Sequence, residues 1–130
     1  MNDKRSIPSK RDLEELRRIA KDCNLTYTAH MPLDINLGSG VENKRKSSID
    51  KVVSLMNHLY TLKPYSYIFH LNLTKVAEKN IKRWRDRVND SLRGVLRKTE
   101  CSSKKISIEN LDYHFRYIED IVVKIISQYV

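Results

Sequence analysis

The chain has 130 residues, enough for one domain or for part of a larger one. A hydrophobic share of 40% supports a packed core, and no apolar run approaches the roughly 20 residues that a membrane helix needs. The net charge of +9 leaves phosphate-rich partners open, whereas a total of three glycines excludes most phosphate-cradling glycine loops. No nucleophile elbow or dinucleotide fingerprint is present.

The opening MNDKRSIPSK has no apolar stretch of the signal-peptide kind, and Cys23 and Cys101 lack metal-type spacing. Both features point to a reduced, cytoplasmic setting. Ser9 is a good N-cap with Asp12 in the turn behind it. Leu13, Leu16, Ile19 and Ala20 follow at helical spacing, which predicts a helix from Lys10 to about Asp22 that Asn24 can close. LTYTA, residues 25–29, reads as a short strand. Met31 to Gly40 is a loop able to lie across a site mouth.

A second helix is expected from Val41 to about Tyr60, with Ile49, Val52, Val53, Met56 and Leu59 as its apolar stripe. Pro64 breaks that pattern. The run 66–71, SYIFHL, is nearly continuous in apolar residues, as a strand covered on both faces would be. A third helix is expected from about Lys75 to Lys98, placing Trp84 in the core. KISIEN, residues 105–110, reads as a third strand, and a fourth helix follows around Tyr117–Ile126. Strands separated by helices give a parallel sheet of right-handed crossovers. The fold class is therefore α/β, a single domain over residues 1–130 that forms about three of the eight units of a (β/α)₈ barrel, plus a leading helix. A partial barrel leaves sheet edges open, which favours self-association.

His30, His70 and Glu109 hold equivalent positions, at or just past the ends of the three strand patterns, at intervals of 40 and 39 residues. The carboxyl ends of parallel strands converge on one face, so these three side chains are candidate ligands for a divalent metal, zinc or manganese. A hydrogen-bonded core histidine is the alternative reading of His30 and His70, and the shared topological position favours the ligand role. Asp34 and Asn36 are candidate substrate contacts, with turn formation as the alternative; Asn110 and Asp112 are candidates to support ligands or touch substrate. His58 falls on the second helix as a polar residue, and His114 lies in the loop after the third strand. Basic runs such as Lys44–Arg45–Lys46 and Lys82–Arg83 read first as solvated helix faces. Nucleic-acid binding rests on charge alone.

At these residues the chain resembles the xylose-isomerase-like barrel superfamily, which includes sugar-phosphate isomerases and epimerases and endonuclease IV. The matching segments are His30 with DINLG (34–38), IFH (68–70) and Glu109–Asn110. Leu71 and Asn72 stand where endonuclease IV has Pro-Gly. HMPLDINL, YIFHLN, WRDRV and IENLDY are similar to the cobamide-remodelling phosphodiesterases of that superfamily. His114 departs from that branch, and the first and the fifth to eighth strands have no counterpart here. The resemblance implies a metal site of His30, His70 and Glu109, with Glu109 also catalytic and Asn72 near substrate. It implies a small phosphorylated substrate, first of all a cobamide phosphodiester to be hydrolysed, with a sugar phosphate to be isomerised or epimerised as the alternative. An inactive fragment, or a chain that binds nucleic acid by charge, is the contrasting expectation.

Overall fold

The computed structural model describes residues 7–71 and 78–109. Helix α1 spans Lys10–Asp22, where the apolar spacing places it. Ser9 Oγ accepts from the Asp12 amide at 3.2 Å, and Asp12 accepts from the Ser9 amide at 2.8 Å. This reciprocal cap satisfies amides that the first turn leaves without helical partners. Those Ser9 hydrogen bonds hold the Asp12 carboxyl below its usual range. Past Cys23, Asn24 turns the chain at φ 52, a conformation asparagine tolerates better than most residues.

Strand β1 is Thr28–His30, three residues later at its start than the sequence pattern suggests. Pairing decides this. Leu25 is still bonded back to Ala20 O at 2.8 Å, and the ladder opens only when Thr28 meets Ser66. Helix α2 covers Glu42–Leu59 and tightens into a 3-10 turn at Tyr60–Leu62 before Pro64. Strand β2 is Ser66–His70. Helix α3 is Ile81–Thr99, preceded by a 3-10 turn at Glu78–Asn80; the start expected near Lys75 lies outside the described residues. Strand β3 is Ile106–Glu109. The expected fourth helix and His114 lie outside the described residues.

The sheet order is β1-β2-β3, and both pairings are parallel. Register assigns faces, because strand side chains alternate. Ala29, Tyr67, Phe69, Ile106 and Ile108 fall on one side and belong to, or pack against, the hydrophobic core. Val52, Met56 and Leu59 of α2 join that core, as do Trp84, Val88, Leu92 and Val95 of α3. Thr28, His30, Ser66, Ile68, His70, Ser107 and Glu109 fall on the other side. The second face of β2 carries Ser66, Ile68 and His70, of which Ser66 is buried and the other two half-buried.

The loop from Met31 to Gly40 is packed into the core. Met31, Ile35 and Leu37 are buried in it. Arg87 Nε donates to Gly38 O at 2.8 Å and Ser91 Oγ to Leu37 O at 2.7 Å, so α3 grips the loop. From α2, Ser48 Oγ accepts the Asn36 amide at 2.9 Å. Gly38 is required by contact, because a Cβ there would overlap the Trp84 indole. Gly94 has open space around its Cβ direction. Gly38→Ala is therefore expected to destabilise the fold by about 1–3 kcal/mol in urea unfolding. Gly94→Ala is expected to stabilise it by about 0.5–1 kcal/mol, through helix entropy. A neutral Gly38→Ala would disprove the close packing of loop and indole.

Candidate metal centre

Each strand delivers one side chain from its final described position to the same end of the sheet. His30 ends β1, His70 ends β2 and Glu109 ends β3. His70 and Glu109 are register partners, whereas His30 pairs with Ile68, one pleat lower. All three share the sheet face opposite the core side chains, and they meet there. His70 Nε2 lies 2.7 Å from His30 Nε2 and 2.7 Å from Glu109 Oε2. His30 Nε2 lies 3.0 Å from Glu109 Oε2. The imidazole rings tilt at 52° with centroids 4.5 Å apart. His70 is the deepest, its side chain 13% exposed against 45% for His30 and 44% for Glu109.

The chemistry of these three atoms demands a positive charge. His30 Nδ1 lies 2.9 Å from Met31 O, a carbonyl that can only accept, so Nδ1 carries the proton. The neutral ring then points the Nε2 lone pair at a carboxylate oxygen and at another imidazole nitrogen. Lone pairs this close repel unless a proton or a cation lies among them. Without a metal the proton serves. Hydrogen bonding to Glu109, aided by Met31 O, raises the His30 pKa, and the Glu109 carboxyl is lowered chiefly by the same His30 hydrogen bond.

A divalent ion fits the same donor set. An Nδ1–H held by a backbone carbonyl is how ligating histidines are commonly oriented. The three ligand atoms lie within 4.8 Å of one another, close enough for one ion to touch all three. His30, His70 and Glu109 are the one group of metal-type ligands that converges among the described residues.

The other candidate residues lie elsewhere. Asp34 holds Lys51 of α2 at 2.7 Å through Oδ1 and 2.5 Å through Oδ2, and that hydrogen bond keeps its carboxyl below the usual range. Asn36 is tied to α2 through its backbone and lines a shallow hollow with Asp34, Asn43 and Lys44. Asn72, Asn110 and Asp112 lie outside the described residues. His58 Nε2 lies 2.7 Å from Pro8 O, so this histidine anchors the segment before α1.

The sequence reading passed over the hydroxyl row beneath the metal-type ligands. Ser66 Oγ donates to Lys105 O at 3.2 Å and lies 2.5 Å from Ser107 Oγ, which makes Ser107 the donor of that pair. Thr28 is the register partner of Ser66. The signal was present as the period-two patterns Ser66-Ile68-His70 and Ser107-Glu109. A barrel interior is more often filled by branched apolar side chains.

No protein-family model matches the chain, and no curated protein does either. Among solved structures the chain is similar to the apo crystal structure of 3-keto-D-glucoside 4-epimerase, YcjR, from E. coli. The TM-score is 0.64 at 18% identity, over 92% of this chain and 52% of that one. This likeness establishes the fold: an α/β chain of parallel β/α units that forms part of a TIM barrel. The chain spans about half the length of that epimerase. No helix among the described residues is long and apolar enough to cross a membrane.

Metal uptake should depend on pH with a defined sign. The ion needs His30 neutral, and the His30 pKa is raised above its ordinary value near 6.5. Affinity for Mn²⁺ or Zn²⁺ should therefore fall as pH drops through the raised His30 pKa and level off above it. Calorimetric titration across this range checks it; a flat profile refutes the ligand role of His30. His70→Ala should lose stoichiometric metal while keeping its far-UV circular dichroism.

Proposed function

We propose that the whole protein is a metal-dependent sugar isomerase or epimerase, and that this chain supplies the proton-handling and metal-holding wall of its active site. The observation that carries the reading is the convergence of His30, His70 and Glu109 at the carboxyl end of a parallel sheet whose fold is shared with a sugar epimerase. Active sites of barrel enzymes lie at that end. A bound ion would polarise a substrate carbonyl or hydroxyl oxygen and so acidify the neighbouring C–H.

The chain's own groups account for the remaining work. Glu109 turns Oε2 to both imidazoles, which leaves Oε1 as the atom to take a proton from the substrate carbon. His30, held by Met31 O, cannot rotate away while its Nδ1–H is engaged. The grip of Arg87 and Ser91 on the loop after β1 keeps Met31 in register with His30.

A second reading is hydrolysis of a phosphodiester of the cobamide type. The similarity of HMPLDINL and IENLDY to cobamide-remodelling phosphodiesterases favours it, as does the net charge of +9. The same three ligands would serve, with the ion lowering the pKa of a bound water to about 7. The shared fold with an epimerase supports the sugar reading more strongly.

The two are separated with the Mn²⁺-loaded full-length protein in D₂O. Ketoses, 3-keto sugars and sugar phosphates are tested for deuterium entering the carbon beside the carbonyl. Cobamides are tested for cleavage of the nucleotide loop. Deuterium incorporation that falls by about 10²–10⁴ in Glu109→Gln is the expected result. Cobamide cleavage without deuterium exchange would establish the second reading in place of the first.

A further inference from the structure

At the opposite end of the strands from His30, His70 and Glu109 lies a cavity of about 230 Å³. Tyr67 on its lining stands three residues before His70, about 10 Å along the strand and on the opposite face of the sheet. The lining also includes Met56, buried in the core like Tyr67, and the exposed Tyr60 ring. The volume is below that of drug-sized ligand pockets and of the order of a single small molecule.

Charge is arranged asymmetrically around it. Lys63 and Lys105 lie on the lining, and Lys105 Nζ is held at 3.0 Å by Pro64 O, which fixes a cation beside the end of the α2 segment. Glu100 lies on the same lining, just past the last residue of α3. The terminal carbonyls of α3 add negative potential there. Among the described residues, neither Lys63 nor Glu100 makes a side-chain hydrogen bond or ion pair. The backbone makes both residues unexpected. Lys63 and Glu100 sit at φ 47 and φ 52, where glycine or asparagine is favoured, and the remaining left-handed residue among those described is Asn24. A Lys and a Glu in these places, facing one cavity, put opposite charges at its rim against local backbone preference.

We propose that this cavity binds a small zwitterion with an apolar body, the chemistry of a free apolar amino acid. The carboxylate lies against Lys63 and Lys105, the ammonium lies against Glu100 and the α3 carbonyls, and the apolar body covers Met56 and Tyr67. This site is separate from the metal centre, so its occupancy bears on stability or regulation and not on the chemical step.

The test is a ¹H–¹⁵N NMR titration of the full 130-residue chain with L-phenylalanine and, separately, L-leucine, to roughly 20 mM. Saturating shifts confined to the amides around Tyr60–Lys63 and Thr99–Ser102 are expected for at least one of them. Phenethylamine and 3-phenylpropionate, which each keep one charge, should bind at least about tenfold more weakly than L-phenylalanine. Lys63→Gly and Glu100→Gly place glycine where φ is positive, so both should fold at least as stably as the parent and still lose binding about tenfold. Absence of localised shifts with both amino acids overturns the proposal. So does equal binding of the singly charged analogues, or undiminished binding by both glycine variants.

Discussion

Parallel pairing of β2 with both neighbours is the constraint on which the rest of the molecule depends. The ladder aligns Thr28 with Ser66 and His70 with Glu109, and alternation then assigns every other strand residue to one of two faces. One face becomes the floor on which α2 and α3 pack. The other is left with hydroxyls, two imidazoles, one isoleucine and a carboxylate. A slip of a single residue in either pairing would exchange the faces, sending Phe69 out of the core and His70 into it. Burial of Phe69 and Tyr67 against Trp84, Val88 and Met56 therefore holds the polar face in place at a distance.

The metal-type ligands are expensive to gather. Two imidazole nitrogens and a carboxylate oxygen within hydrogen-bond distance present more lone pairs than protons, and the arrangement is favourable only around a positive charge. His30 shows how the protein biases the outcome. Met31 follows it directly, and the backbone carbonyl that accepts from Nδ1 turns Nε2 toward the centre. The Met31 side chain, almost wholly buried, locks that carbonyl. The hold extends outward through Ile35 and Leu37 to Ser91 and Arg87 of α3. A loop that reads as a mobile cover is instead a wedge that stiffens one ligand.

The likeness to a sugar epimerase is one of fold at 18% identity, and the functional reading draws its chemistry from this chain's own residues. A carboxylate beside two imidazoles serves proton abstraction and phosphodiester hydrolysis equally well. Thr28, Ser66 and Ser107 share the face of these ligands, with the Ser66 and Ser107 hydroxyls bonded to each other and to Lys105 O.

The amphipathic pattern of α1, the stripe of α2 and the steps of Trp84, Val88, Leu92 and Val95 were legible in the sequence, because a helix writes its buried face at a local period that needs no partner. The order of helices and strands likewise implied a parallel sheet, and intervals of 40 and 39 residues between His30, His70 and Glu109 marked one shared edge. Strand limits were not legible, since β1 begins where its partner begins and not where β-branched residues do. The polar face of β2 was written in the sequence too, as the period-two pattern Ser66-Ile68-His70, but the apolar Tyr67 and Phe69 between them make the run read as continuous. The carbonyl of Met31, the grip of α3 on Gly38 and Leu37, and the opposite charges of Lys63 and Glu100 around one cavity join residues distant in the chain. Contacts of that kind have no local period, so tertiary packing alone decided them.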